Sequence, residues 1–304
     1  MAESSLQRFR EQAAVAGLNR VWVVPRADID PRFAAHPAGA LTPAALHPGY
    51  RRAVVLASAG PAFWRAVQAQ HRGASGQVPD PAQNPLDTSS ERTLEALAAP
   101  LRKQDPALVS VYPFRHARQV LGFARLLGGA PWLASAPFGV SVEPQAGPWW
   151  ALRGALLTAL DWTAEAPAGE SPCAACPAPC VSACPAQAVH QRGFAWTACA
   201  TFRLAQTPCR ETCLARLACP VGVDQRYDAA AIAHHYRASL REIAQQQMQQ
   251  QQQLPPTDFT EDRTSLASDP GSSLDGASTP VAQYQVNTRS LGEAPSKRSK
   301  SAPK

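Results

Sequence analysis

All eight cysteines of this chain lie between Cys173 and Cys219, in two groups of four that each close with Cys-Pro. The first reads Cys173-Ala-Ala-Cys176-Pro-Ala-Pro-Cys180-Val-Ser-Ala-Cys184-Pro185; the second is looser, with Cys199, then Cys209-Arg-Glu-Thr-Cys213, then Cys219-Pro220. Short spacings let several thiolates converge on one small centre, and a proline after the last cysteine turns the chain away from it. No other stretch of the sequence constrains the local fold as strongly.

This is the pattern of a ferredoxin-type pair of [4Fe-4S] clusters, C-x2-C-x2-C-x3-C-P, in which the fourth cysteine crosses to the other cluster. The first group departs from it by one residue, since three residues separate Cys176 from Cys180, and Pro177 and Pro179 occupy that gap. A prolyl loop with fixed φ angles absorbs one residue and still aims the next sulfur inward. With the crossover applied, Cys173, Cys176, Cys180 and Cys219 hold one cluster, and Cys184, Cys199, Cys209 and Cys213 the other. Three alternatives stand beside this reading: two zinc sites of four thiolates, disulfides, and ordinary buried thiols. Disulfides conflict with an N-terminus that shows no secretion signal and so points to a reducing cytoplasm. Twin Cys-Pro endings belong to the ferredoxin pattern and not to zinc ribbons.

The remaining sequence is long enough for a second folding unit, because roughly 170 residues precede the cysteines and can bury a core of their own. No run approaches the ~20 apolar residues of a membrane helix. The net charge of +6 falls entirely on the first 244 residues, because the tail from Gln245 holds six acidic and six basic side chains. Most of the excess is arginine scattered singly, which predicts a solvated surface and no nucleic-acid groove.

Along the chain, apolar residues at helical spacing predict a helix from Ser4 or Ser5 to Ala16, followed by a strand at Arg20–Pro25. Residues 26–50 lack periodicity and read as loop, with His36 and His47 as surface histidines. Arg51–Ser58 reads as a strand that passes through Gly60-Pro61 into a helix over Ala62–His71. A second turn-rich connection, 73–85, leads to a helix through Glu91, Leu94 and Leu101, capped by Asp87, Thr88 or Ser89. Ala107–Tyr112 is a third strand, His116–Leu127 an amphipathic helix, and Phe138–Val142 and Trp149–Thr158 two further strands. A last helix follows Asp224 or Asp228 with Ile232, Tyr236, Leu240 and Ile243 on one stripe. His234 and His235 on it read as one histidine against the cysteine module and one in solvent. Eight glutamines in the nine positions from Gln245 to Gln253 open a low-complexity tail that reads as disordered.

From about Leu108 to Pro220 the chain resembles the epoxyqueuosine reductase family, cobalamin-dependent iron-sulfur enzymes of tRNA modification. Gly147-Pro-Trp-Trp-Ala-Leu-Arg-Gly-Ala-Leu-Leu-Thr158, with the cysteine stretch a short distance behind it, carries that likeness. Val54-Val-Leu-Ala-Ser-Ala-Gly-Pro-Ala-Phe-Trp-Arg-Ala-Val67, with Pro85-Leu-Asp87, is similar to cobalamin-processing proteins of the CblC type. These resemblances imply an α/β fold: an α+β sheet with flanking helices, as in nitroreductases and CblC, followed by a small, mostly α ferredoxin-like module. The expected division is residues 1–164 for the sheet domain, 165–244 for the module and 245–304 for the tail. Two family segments depart here. Val109-Ser-Val-Tyr-Pro113 lacks the carboxylate that serves the family as proposed proton donor, and Ala130-Pro-Trp-Leu-Ala134 has lost a lysine and glycines. Tyr112 is then the candidate proton donor.

Two clusters in series form a wire, so the chain reads as an iron-sulfur oxidoreductase passing single electrons to a corrinoid, or failing that a flavin (FMN), or to a small-molecule substrate. Ser58, Gly60, Pro61, Trp149 and Trp150 mark the candidate cofactor region. This reading implies an electron donor such as a flavodoxin or a ferredoxin reductase. An electron carrier without its own catalysis and a zinc-stabilised binding protein are the competing classes.

Overall fold

The computed structural model describes residues 2–34, 41–75, 84–116, 123–127, 130, 133, 136–165, 168–191, 193–205 and 207–253. Helix α1 (Ala2–Val15) leads into β1 (Arg20–Pro25), and two helices follow, α2 (Arg26–Phe33) and α3 (Pro43–Leu46). Next come β2 (Arg52–Ala59), α4 (Ala62–Ser75), α5 (Pro85–Leu101), β3 (Val109–Val111) and α6 (Pro113–His116). A 3-10 turn (Phe123–Leu127) precedes β4 (Trp150–Thr158). The strands form one sheet in the order β1-β2-β4-β3, antiparallel throughout.

Both faces of this sheet are covered. Val23, Val54, Leu56 and Leu156 meet Leu6 and Phe9 of α1, Phe63 and Val67 of α4, and Leu94 of α5 on one side. Val24, Val55, Val111, Ala155 and Leu157 meet Ile29 and Phe33 of α2 and Phe123, Leu126 and Leu127 on the other. Strands buried on two faces read as continuous apolar runs, which is why β2 and β4 were legible in the sequence. Each enclosed side chain of this size contributes about 1.5–3 kcal/mol.

Between Leu56 and Ala57 the register of β2 against β4 shifts: Leu56 faces Gly154 and Ala57 faces Leu152, leaving Arg153 as the extra residue. A bulge rotates the residues beyond it and re-aims a side chain. Here Arg153 points to the same face as Gly154, whose absent side chain makes room for Leu94, since a Cβ at Gly154 would lie 2.2 Å from Leu94 Cδ2.

The C-terminal half adds α7 (Pro179–Ser182), the two-residue strands β5 (Val189–His190) and β6 (Gly193–Phe194), α8 (Trp196–Ala205), α9 (Leu214–Leu217) and α10 (Ala229–Gln253). Its own small core joins Phe138 and Val142 to Val189, Ala215, Cys180 and Cys219. The two halves meet backbone to backbone. Gly147 (φ +61°) and Gly222 (φ +65°) sit so close that a Cβ on the first would fall 2.0 Å from Val221 O and one on the second 2.2 Å from the Ala146 carbonyl carbon.

Several sequence expectations are corrected. Residues 26–50 contain α2 and α3. Only Ile29 and Phe33 of α2 are buried, too few for a visible period, and the Arg26–Asp30 pair at 2.6 Å supports its exposed face. His47 is no surface residue: it is 4 % exposed, with Nε2 3.5 Å from Asp105 Oδ2, a partner far along the chain. Ser4 and Ser5 lie inside α1, and Ser5 Oγ instead accepts from Trp162 Nε1. Helix α5 starts after Asn84, left-handed at φ 45°, with no side-chain cap from Asp87, Thr88 or Ser89. Helix α4 runs on to Ser75, so the second connection is shorter than expected; its residues 76–83 lie outside the described residues.

Phe138–Val142 is turn and not strand, because its backbone groups are satisfied locally: Ala136 N–H donates to Val140 O at 2.8 Å and Trp150 Nε1 donates to Ser141 O at 3.1 Å. Of the helix expected over His116–Leu127, α6 ends at His116 and Phe123–Leu127 is 3-10; residues 117–122 lie outside the described residues. The expected start of the tail is also displaced, since α10 carries the glutamine run to Gln253. The expectations for 254–304 and for His36 fall outside the described residues. Asp228, by contrast, does cap α10, accepting from Ala231 N–H at 2.8 Å.

The Asp105 carboxylate ties the end of β4 to the α5–β3 connection, accepting from Thr158 Oγ1 and Ala159 N–H, both at 2.7 Å. Burial acts to raise its pKa, but these two bonds and His47 outweigh it and hold the carboxyl below the usual range. Thr158→Val removes one of these bonds within a fully buried site and is expected to cost about 1–3 kcal/mol, measured as a lower urea midpoint at unchanged slope.

Candidate functional site

The eight thiols are all free of disulfides, and their mutual fields divide them into two sets. Burial pushes the Cys180 thiol up, and Cys219, Cys173 and Cys176 push it further. Cys219 is raised first by burial and then by Cys173 and Cys176. In the second set burial lifts Cys199 to about 11, with Cys213, Cys184 and Cys209 adding to it; Cys209 responds to burial and then to Cys213 and Cys184. No thiol acts on a thiol of the other set among these shifts. Cys173, Cys176, Cys180 and Cys219 therefore lie together, as do Cys184, Cys199, Cys209 and Cys213.

Local structure explains the grouping. Helices α7 and α9 are single turns that place Cys180 and Cys213 at their N-terminal ends. Cys213 Sγ caps α9 by accepting from Arg216 N–H at 3.4 Å. Helix α8 carries Cys199, and the chain then doubles back through Cys209. Among the described residues, no three or more His, Cys, Asp or Glu side chains close on a point that would hold one metal ion. Burial and neighbouring thiols disfavour the thiolate form in each set, and bound metal would reverse that by supplying positive charge. The donor set fits a thiolate-ligated centre.

A second constellation lies where α9 and α10 meet the sheet. Trp149, 1 % exposed, has Arg216 over its ring at 4.6 Å, Arg226 at 5.6 Å and Tyr227 edge-on at 5.6 Å. Arg153, turned inward by the bulge, donates from Nε to Ser58 Oγ at 3.0 Å and covers Phe63 at 4.7 Å. His235 stacks on Tyr227 and His234 packs on Trp64 at 4.6 Å. His234 is buried against α4 of the sheet domain, whereas the expectation placed one histidine against the cysteine module; His235 is half-buried on Tyr227.

This cluster of side chains gathers Arg153, Arg216 and Arg226. Burial raises the Asp87 pKa to about 6 against the pull of Arg153, and Glu91 pushes it in the same direction as burial. Burial and the fields of Arg153 and Arg216 depress His235 to about 3, so it stays neutral. Several buried polar atoms have no hydrogen-bond partner among the described residues: Arg216 Nε, Arg226 Nε, Tyr227 Oη, and the Nε1 atoms of Trp149 and Trp64. Such groups are rare in native interiors.

Of the candidate cofactor residues, Ser58 and Trp149 lie in this constellation. Gly60 borders it, donating its N–H to Trp149 O at 2.7 Å and facing Gln225 Oε1. Pro61 follows, half-buried at the start of α4, while Trp150 points to the opposite face of the sheet, edge-on to Trp22. Tyr112 is buried and donates to Glu95 Oε1 at 2.6 Å; burial and that bond push its pKa up. His190 is exposed on β5. Sequence reading missed Arg153, Arg216, Arg226 and Tyr227. A charge in the middle of the apolar run Ala-Leu-Arg-Gly-Ala-Leu-Leu was the one available signal.

No protein-family model matches the chain, and neither does any curated protein sequence. Solved structures of both kinds that the sequence resembles are among its structural neighbours. An epoxyqueuosine reductase bound to an epoxyqueuosine-modified tRNA-Tyr stem loop is 12% identical at a TM-score of 0.48, over 76% of this chain and 68% of that one. The epoxyqueuosine reductase of Bacillus subtilis is 15% identical at 0.45, over 74% and 68%. The B12-trafficking protein CblC of C. elegans is 12% identical at 0.47, over 79% of this chain and 95% of its own. No helix among the described residues is long and apolar enough to cross a membrane.

The neutral His235 gives a pH dependence of defined sign. Below pH 6.5 the unfolded chain binds a proton that the folded chain refuses until about pH 3, so stability is lost as pH falls through that window, by at most about 1.4 kcal/mol per pH unit. Asp87, with a raised pKa, acts in the opposite direction between its unfolded value of 3.8 and about 6. His235→Gln is expected to lose less stability than the native chain between pH 7 and pH 5, and Asp87→Asn to lose more, both read from urea unfolding at the two pH values.

Proposed function

We propose that the chain is an iron-sulfur oxidoreductase with two [4Fe-4S] clusters, one on Cys173, Cys176, Cys180 and Cys219 and one on Cys184, Cys199, Cys209 and Cys213. Its electrons serve a redox centre or substrate at the constellation around Trp149. When bound, such clusters exchange one electron at a time at a potential set by hydrogen bonding, burial and charge.

One observation carries this reading: Arg216 belongs to both constellations. Its backbone N–H donates to Cys213 Sγ, while its guanidinium lies on Trp149 and Tyr227 and donates to Pro148 O at 2.5 Å. Arg216 thus links Cys213 of the second set to Trp149. The unpartnered donors of Arg216, Arg226, Tyr227 and Trp149 favour an occupant rich in hydrogen-bond acceptors, as the amide-bearing rim of a corrinoid or the phosphate of a flavin would be. These same residues would hold it. Tyr112 remains a proton-donor proposal, reached through its bond to Glu95.

Protein purified without oxygen is expected to be brown and to contain about eight irons per chain. Cys219→Ser and Cys199→Ser should each remove about half of that iron, from different clusters. A colourless protein with about two zincs per chain would exclude the redox reading. With the clusters loaded, a saturable spectral shift of cob(II)alamin identifies a corrinoid site. Full iron without such a shift and without bound flavin leaves an electron carrier.

A further inference from the structure

Arg203 is a buried cation with no carboxylate paired to it among the described residues. It is 5 % exposed and stands one helical turn after Cys199 on α8. Its Nε donates to Cys209 O at 3.0 Å, and its Nη2 donates to Tyr236 O at 2.9 Å and to Ser239 Oγ at 3.0 Å. The guanidinium lies over the Tyr236 ring at 5.0 Å. Every one of these partners is neutral, and Arg203 forms no ion pair among the described residues. Its hydrogen bonds are satisfied while its charge is not. Burying a full charge without a counter-charge costs several kcal/mol, so folding of this segment calls for an anion nearby.

Arg216 also neighbours this set, through its N–H to Cys213 Sγ, but it is half-buried and its guanidinium lies on Trp149 and Tyr227; the other basic residues stand differently again. Arg237 is spoken for at the surface by Glu211 at 2.7 Å, and Arg210 is exposed. Arg226, which acts on Cys219 of the other set, is only half-buried. The groups enclosed with Arg203 are Cys199 and Cys209, one on its own helix and one bonded to it through the backbone.

We infer that Arg203 is the counter-charge of the cluster on Cys184, Cys199, Cys209 and Cys213, and that it raises that cluster's reduction potential selectively. The inference rests on the cluster reading above. Four thiolates around an iron-sulfide core carry net negative charge, and reduction adds one more negative charge. A fixed cation in a poorly screened interior attracts the reduced state more than the oxidised one. Arg203 is thus a positioning and tuning residue that acts through the cysteines, not a group that touches substrate.

The test is an EPR-monitored redox titration of the anaerobically purified full chain. In Arg203→Gln, one cluster should become about tenfold harder to reduce at fixed poise, equivalent to about 59 mV for one electron. Iron content and the other cluster should stay unchanged. Arg203→Lys, which keeps the charge but not the fork of hydrogen bonds, should stay near the native potential. If Gln and Lys shift the potential equally, or if neither shifts it while both lower the melting temperature, Arg203 only ties α8 to α10 and the inference is overturned.

Should Arg203→Gln fail to hold its iron, Ser239→Asp places a carboxylate against the guanidinium and cancels its charge in place. The same loss is expected, and unmoved potentials overturn the inference. A native protein without iron sinks the cluster reading and this inference together, whereas iron-loaded protein with unmoved potentials sinks this one alone.

Discussion

Trp149 held between two guanidiniums is the interaction on which the arrangement of this protein depends. The tryptophan immediately precedes β4 of the sheet; Arg216 and Arg226 come from the cysteine module. Each cation–aromatic contact is worth about 0.5–2 kcal/mol, and the backbone of Gly147 against Gly222 leaves no room for the halves to slide. The module is consequently a fixed neighbour of the sheet, and Arg216 links Cys213 of its second set of thiols to Trp149.

Charge is distributed through this interface in an unusual way. Arg153 and His234 are buried there, while Arg216, Arg226, His235 and Asp87 are half-buried. The protein meets the cost of this partly by neutralisation, since His235 refuses a proton and Asp87 keeps one to a higher pH than usual. Aromatic faces from Phe63, Trp149 and Tyr227 supply much of the rest. Arg203, deeper in the module, has a single ring and three neutral oxygens for the same purpose.

The sheet was largely legible because its strands obey local rules. Arg20–Pro25 was read with both ends right, and Arg52–Ala59 and Trp150–Thr158 each within one residue; β-branched and apolar runs bounded by Gly and Pro leave little choice. Phe138–Val142 shows where that rule fails. Its composition suits a strand, but Gly139 N–H donates to Ala136 O and Ala136 N–H to Val140 O, both at 2.8 Å, and a turn that satisfies its own backbone needs no ladder. Helix α2 failed for the opposite reason, since two buried residues make no periodicity and Pro31 argues against a helix that tertiary packing nevertheless holds.

By itself the sequence determined where the thiols stand along the chain, because spacing within a short segment is local. Order alone would group Cys173, Cys176, Cys180 and Cys184; the exchange of Cys184 and Cys219 between the sets depends on how the chain folds back. Only tertiary structure decided what that module faces. The bulge that turns Arg153 inward, the partner that buries His47, and the stacking of Arg216 on Trp149 all join residues dozens of positions apart. Contacts of that kind depend on how whole elements pack, and no local pattern records them.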